Sequence, residues 1–321
     1  QRVNVEALNS ISIQHLAFDY SSGRKRVFIA GINKLFEWNM DGRDVITDGI
    51  GGTENNRIHA LQLDRTGQLW LGTTEGLQQK TISGPASESL HPSRLWPDNT
   101  RVASLFTDQA NKLWIGTTKY GLFLLDGKRP LEKIELPTYK TKVPWIYAIN
   151  EIRPGIFWLG TFGSGILEYD SVRKTFKAIQ SNRLLKSGLR DDNVWTLFRD
   201  RRGLIWTGGG QGIDLYDATQ TSLTNIPGDI DEQGLSDAKI HAVLAMPDDQ
   251  VWLGTEKHGI DIIHPLRSDV GHIPAGISGD ANLSTDPIEA MMFAGPENIL
   301  ASSNWLSFII DRQSHARSEE H

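Results

Sequence analysis

A seven-bladed β-propeller of four-stranded antiparallel blades is the fold that this sequence predicts. One five-residue phrase, apolar-Trp-apolar-Gly-Thr in its usual form, occurs five times. Its tryptophans are residues 70, 114, 158, 206 and 252, which are 44, 44, 48 and 46 residues apart. That period is the length of a four-stranded propeller blade. The repeats therefore predict an all-β ring of similar units.

Each repeat predicts its strands in the same order. A first apolar run begins twelve residues before each Trp and ends at a polar turn, as in Ile58–Asp64. The Trp phrase forms the second run, and the two runs together predict a tight hairpin. A third strand follows, as in Gly121–Asp126 and Gly165–Asp170.

Two degenerate copies flank the five clear repeats. Residues 13–19 and 27–31 form the first copy, with Phe28 in the place of Trp. Residues 288–294 and 299–303 form the last, with Leu300 in that place. The count is then seven units, in one domain over residues 1–312.

The ring is expected to close through its N-terminal strand. Residues 313–321 are few and polar, so they predict a tail or the start of a linker. Residues 2–6 precede the first unit as residues 44–47 precede the second, and they can supply the outer strand of the seventh blade. Such an exchange would remove an exposed sheet edge.

The repeat resembles the two-component regulator propeller repeat. The resemblance rests on the polar residue before the first strand, the Asp at its end, the turn Gly and the Leu-Trp-Ile/Leu-Gly-Thr phrase, and it covers nearly the whole chain. The resemblance implies that the chain is the extracytoplasmic, periplasmic sensor region of a membrane-anchored hybrid histidine kinase or diguanylate cyclase. Members usually carry two propellers, an immunoglobulin-like domain, a membrane helix and an output domain.

Composition suits an exported module without prosthetic groups. The chain has 321 residues and a formal net charge of −6, and this negative charge argues against nucleic acid as a partner. It has no Cys, which excludes disulfides and thiolate metal sites. The sequence has no apolar run long enough to insert in a membrane. Residues 229–234 resemble the opening of an EF-hand loop, but its twelfth place is Ile240. No metal, cofactor or catalytic residue is predicted.

The motif residues are interpreted as structural. A Trp at a fixed place in an inner strand is expected to pack between blades, and a Gly two residues later is expected where space is short. These positions are Trp70, Trp114, Trp158, Trp206 and Trp252, with Gly72, Gly116, Gly160 and Gly254.

One face of the blades collects the variable residues. The loop entering the first strand and the turn between the second and third strands lie at the same end of an antiparallel blade. Aromatic rings among amides and charges at that end suit a polar ligand. The candidate ligand-binding residues are Arg57, His59, Glu75, Arg101, Tyr120, Trp145, Tyr147, Arg190, Trp195, Lys239, His241, Glu256, Glu289 and Trp305.

Three function classes follow from this reading. The first is a sensor module that binds an oligosaccharide or another polar small molecule, or meets a second propeller or a receptor dimer partner. The second is a protein-interaction scaffold without a small ligand. The third is a propeller-type lyase, which would need an acid and a base from His59, His241, Glu289 or Tyr147. The first class, without turnover in this segment, is the expectation.

Overall fold

The chain is all-β. The structure, a computed structural model, describes residues 15–19, 26–31, 33–39, 45–50, 53, 55–81, 100–127, 130–137, 143–181, 188–217, 222–227, 235–264, 270–274, 287–294, 297–303, 307–315 and 317–319. Within these ranges the regular elements are 27 β-strands. No helix in the described part of the chain could cross a membrane.

The chain divides into two compact units, residues 1–149 with 319–321 and residues 150–318. The strands of the first unit are β1 His15–Asp19, β2 Arg26–Ala30, β3 Lys34–Asn39, β4 Val45–Gly49, β5 Ile58–Leu63, β6 Gln68–Thr73, β7 Gly76–Thr81, β8 Val102–Thr107, β9 Leu113–Thr117, β10 Leu122–Leu125 and β11 Glu132–Ile134. They form sheets β1–β4, β5–β7 and β8–β11, each paired in chain order.

The second unit begins within β12. Its strands are β12 Ile146–Arg153, β13 Ile156–Thr161, β14 Ile166–Asp170, β15 Thr175–Ile179, β16 Val194–Arg199, β17 Ile205–Gly209, β18 Gly212–Asp217, β19 Ser222–Pro227, β20 Ile240–Ala245, β21 Val251–Thr255, β22 Ile260–Ile263, β23 Val270–Ile273, β24 Ile288–Phe293, β25 Asn298–Ser303, β26 Ser307–Asp311 and β27 Arg317–Glu319. They form four four-stranded sheets, β12–β15, β16–β19, β20–β23 and β24–β27.

The described residues thus contain seven sheets, which matches the seven predicted units. The predicted fold class, an all-β propeller of antiparallel blades, is confirmed. The three-stranded sheet β5–β7 is followed by residues 82–99, which lie outside the described residues.

The last sheet differs from the sequence prediction. Its fourth strand is β27, Arg317–Glu319, within the residues 313–321 that the sequence predicts to be a polar tail or the start of a linker. An outer strand needs backbone groups rather than apolar side chains, and charges on such a strand protect the sheet edge. The N-terminal strand that was expected at this edge falls on residues 2–6, outside the described residues.

An acid-to-indole hydrogen bond closes several of the first hairpins. Asp64 Oδ2 accepts a hydrogen bond from Trp70 Nε1 at 3.0 Å, while its Oδ1 accepts the backbone N–H of Thr66 and Gln68. The same arrangement joins Asp108 to Trp114 at 2.9 Å and Asp200 to Trp206 at 3.3 Å. One carboxylate therefore satisfies both the turn and the indole.

The Trp phrases supply much of the core between adjacent sheets of each unit. Trp206 packs with Ile240 and Leu253 of the next sheet, and Trp252 packs with Ile288. Trp114, Trp158, Trp206 and Trp252 are buried, whereas Trp70 is partly exposed.

The motif glycines make room for the strand that opens the next sheet. A Cβ on Gly72 would lie 2.6 Å from Val102 Cγ1, and one on Gly116 would lie 2.7 Å from Ile146 Cγ2. Both distances are below ordinary van der Waals contact. The glycines therefore set the close approach of neighbouring blades.

Candidate functional site

A β-bulge recurs at the start of the first hairpin in five of the sheets. In the β5–β6 ladder, Ile58 pairs with Thr73 and Ala60 pairs with Gly72, which leaves one extra residue, His59. A bulge sets its extra residue outside the ladder and redirects the side chain. The bulged residues are His59, Ala103, Trp195, His241 and Glu289.

Four of these five residues are candidate ligand-binding positions from the sequence. The preceding residue in each hairpin is buried, and the bulged residue is partly exposed except for Ala103. The fold thus anchors an apolar residue and presents the next side chain.

In the first unit, His59 lies in a positively charged environment. Its Nε2 is 3.0 Å from Thr74 Oγ1, which also accepts the backbone N–H of Arg57 at 3.2 Å. Burial lowers the pKa of His59 to about 3, and the charges of Arg101 and His15 act in the same direction. The ring is therefore neutral at physiological pH.

Arg101 lies beside two aromatic candidates. Burial lowers its pKa, the charge of Arg57 lowers it further, and Tyr147 partly opposes both effects. Its Nε atom is buried and has no hydrogen-bond partner among the described residues. The rings of Tyr147 and Trp145 are 6.4 Å apart and tilted by 57°, and Trp145 is 43% exposed. This group has cationic and aromatic surfaces in one place.

Two other candidates of the first unit have structural contacts. Glu75 Oε1 accepts hydrogen bonds from the backbone N–H and the hydroxyl of Thr53, at 2.9 and 2.5 Å. Tyr120 packs against the apolar cluster that contains Leu77 and Val102. Glu75 therefore holds the entering loop, and Tyr120 extends the core.

In the second unit, His241 lies between two carboxylates. Its Nε2 is 3.4 Å from Glu256 Oε2, and its Nδ1 is 3.6 Å from Glu289 Oε2. Burial lowers the pKa of His241, but the two glutamates outweigh it and leave the pKa raised. Trp195 stacks near the imidazole, with ring centroids 5.4 Å apart and an interplanar angle of 32°.

Lys239 completes this group through an ion pair of 2.7 Å with Glu256 Oε1. Partial burial raises the pKa of Glu256, but Lys239 and His241 outweigh it and lower the pKa. The second unit therefore presents an aromatic ring beside a network of alternating charges.

The remaining candidates do not join these groups by a described contact. Arg190 is exposed, and its backbone N–H donates to Asp214 Oδ2 at 3.2 Å. Trp305 lies outside the described residues. Sequence reasoning missed His15 and Thr74 as neighbours of His59. Thr74 could have been found, because it occupies the same repeat position as Glu256, directly after the motif Thr.

No metal centre is found among the described residues, where no three His, Cys, Asp or Glu are grouped to hold an ion. The EF-hand-like segment, residues 229–234, falls outside them. Ile240, which takes the twelfth place of that segment, opens strand β20.

Comparison with known proteins identifies the repeat. Residues 52–75 match the model of the family described as two component regulator propeller. The chain therefore carries the repeat that its sequence resembles. Histidine kinase P4 of Formosa agariphila is 27% identical over 82 residues, which are 26% of this chain and 6% of the kinase.

Solved structures share the fold. The extracellular domain of a hybrid two component system from B. thetaiotaomicron has a TM-score of 0.72 at 19% identity, and the match covers 97% of this chain and 41% of that one. YCF48 bound to D1 peptide has a TM-score of 0.62 at 11% identity, with coverage of 92% and 90%. The chain spans less than half of the length of the first structure.

Proposed function

We propose that this chain is an extracytoplasmic sensing module of a membrane-anchored two-component regulator, which recognises a polar ligand through its bulged residues. The module has no turnover of its own, and the output activity belongs to other segments of the regulator. The repeat family supports the regulatory role, because the matched relative is a histidine kinase and a similar structure is the extracellular domain of a hybrid system.

The recurrent bulge is the observation that carries the ligand-binding part. Five hairpins share the same backbone irregularity, yet its occupant changes from His to Ala, Trp and Glu. A purely structural position would be expected to keep one residue type, as the motif Gly and Trp positions nearly do. Aromatic rings beside fixed donors and acceptors suit the flat faces and hydroxyls of an oligosaccharide.

A titration of the chain with oligosaccharides tests this proposal. Binding is followed by calorimetry and by tryptophan fluorescence, with Trp195→Ala and Tyr147→Ala as single and double variants. We expect each single variant to weaken binding at its own unit by about 2-fold to 13-fold, because an aromatic contact contributes roughly 0.5–1.5 kcal/mol beyond area burial.

Val172→Ala is the matched control. Val172 is 84% exposed in the turn between β14 and β15, at the end of its sheet opposite to the start of β12. This variant should bind as the wild type does. Tyr147→Ala tests the first unit and Trp195→Ala the second, so equal binding by the wild type and the double variant would refute a binding role for either group.

A protein-interaction scaffold is the second candidate. It is favoured by one observation, the structural similarity to YCF48, whose structure has a bound peptide. In that case the Trp145 ring, which is 43% exposed, would contact a partner protein instead of a sugar. Binding of a partner domain without any saccharide response would favour the scaffold.

A further inference from the structure

Two arginines of the first unit lie near His59. Arg57 and Arg101, which we name the cationic cluster, interact electrostatically with each other and with the neutral His59. Among the described residues, no Asp or Glu contributes to the pKa of His59 or Arg101. Like charges that are held together and partly desolvated raise the free energy of the empty site, and an anion would lower it.

The nearby carboxylate of Glu75 forms hydrogen bonds with Thr53. Glu75 follows Thr74, whose backbone N–H donates to the Arg57 carbonyl at 2.9 Å, so the two segments are adjacent. Its Oε1 accepts both hydrogen bonds from Thr53. Glu75 thus holds its own loop through Thr53.

Arg101 supplies an independent indication of a ligand. Its Nε atom is buried, and no described residue accepts a hydrogen bond from it. A buried donor without an acceptor is costly, and such atoms are rare in native proteins. After a rotation of the Arg101 side chain, a carboxylate or sulfate oxygen would reach this donor in the forked geometry that arginine favours.

The second unit has acidic residues at the corresponding bulge. Glu256 occupies there the position of Thr74, and together with Glu289 it surrounds His241 with negative charge. The same bulge therefore has an acidic environment in one unit and a basic one in the other.

Aromatic rings border the cationic cluster. Tyr147 interacts electrostatically with Arg101, and Trp145 lies 6.4 Å from Tyr147 between ring centroids. Trp145 exposes 43% of its surface, which leaves part of the ring accessible to a sugar face. A site that combines guanidinium groups with aromatic rings fits a saccharide that carries negative charge.

We infer that Arg57 and Arg101 bind the carboxylate or sulfate of an acidic saccharide, whose ring packs against Trp145 and Tyr147. This inference rests on the proposed function and narrows its ligand class. The neutral imidazole of His59 would contribute a hydrogen bond to the same ligand.

A first experiment uses inorganic sulfate, which probes the anion site without a sugar. The melting temperature of the full chain is measured in sodium sulfate and in sodium chloride of equal ionic strength, for the wild type, Arg101→Gln and Arg173→Gln. Arg173 is an exposed cation in the β14–β15 turn, so its loss changes the net charge equally. The sulfate-specific increase should persist in Arg173→Gln and disappear in Arg101→Gln.

A second experiment separates charge from sugar recognition. Calorimetry compares trigalacturonate with its fully methyl-esterified form, which keeps the sugar and loses the charge, and with a heparin-derived oligosaccharide that carries sulfate. We expect at least one acidic saccharide to bind, its neutral counterpart to bind at least 10-fold more weakly, and Arg101→Gln to reduce affinity about 10-fold or more. Arg101→Lys should recover only part of the loss, because it keeps the charge without the fork.

The outcomes distinguish this inference from the proposed function. Equal binding of the acid and its ester, lost in the Trp195 and Tyr147 variants, would leave the sensor proposal standing and overturn the anionic ligand. Binding of an acidic peptide instead of any saccharide would overturn both in favour of the scaffold. An absence of sulfate stabilisation together with no acidic saccharide binding would also overturn the inference.

Discussion

Replacing Gly254 with alanine tests how tightly adjacent blades are packed. Gly254 lies in β21, and a Cβ added there would be 2.6 Å from the backbone oxygen of Ile288 and 2.9 Å from its Cγ2. Ordinary van der Waals contact begins near 3.4 Å. The nearest atom is a backbone atom of β24, so rotation of a flexible side chain cannot relieve the clash. Overpacking of this kind costs about 1–3 kcal/mol.

Gly271→Ala is the control within the same sheet. A Cβ at Gly271 would meet Ile262 Cβ at 3.5 Å, an ordinary contact. Urea unfolding of both variants, followed by circular dichroism and tryptophan fluorescence, measures the difference. We expect a lower midpoint for Gly254→Ala and a change within about 0.5 kcal/mol for Gly271→Ala.

Equal midpoints for the two variants would refute the packing argument. They would mean that β24 moves away from β21 without cost, and that the motif glycine is not needed for close approach. The observed distances at Gly72 and Gly116 would then also lose their explanation.

Three further predictions concern the hairpins and the charged bulge. Asp108→Ala removes the acceptor of Trp114 Nε1 and of two backbone N–H groups, so it should cost about 2 kcal/mol or more in thermal unfolding. Trp158→Ala empties a position that is 1% exposed and should cost roughly 3–5 kcal/mol in urea unfolding. The raised pKa of His241 stabilises the fold fully below pH 6.5, and this contribution is lost as pH rises through the folded-state pKa. The stability difference between wild type and His241→Gln should therefore shrink from pH 6 to pH 9, and a difference that stays constant would contradict the ion-pair geometry.

The strand order could be predicted because its signals are local and repeated. The Trp phrases fall in β6, β9, β13, β17 and β21, and the runs that precede them fall in β5, β8, β12, β16 and β20. Alternating apolar residues, a polar turn and a fixed Gly are visible in a window of one hairpin. Repetition then removes the ambiguity that a single short apolar run would have.

Other features depend on contacts that have no signature in composition. Arg317–Glu319 forms a strand because β26 offers it a partner, although its side chains are polar. Asp64 and Trp70 are six residues apart, and only the folded turn brings Asp64 Oδ2 to 3.0 Å from Trp70 Nε1. Tyr120 looks like a surface aromatic in sequence, yet it packs on an apolar cluster.

The two histidines at equivalent bulges show why the site chemistry needed the structure. Sequence gives His59 and His241 the same place in their repeats, so it predicts the same role. Thr74 and Arg101 surround the first ring, and burial lowers its pKa to about 3. Glutamates surround the second, and they raise its pKa against the effect of burial.

Neither difference disturbs the hairpin, because a bulged residue makes no paired ladder contact that the core depends on. The buried residue beside it, Ile58 or Ile240, carries the packing in both cases. Different blades can therefore carry a different charge at the same bulge while the strands stay in place. A repeat built in this way can acquire a new ligand preference by substitutions at the bulge and the adjoining turn, without first losing its stability.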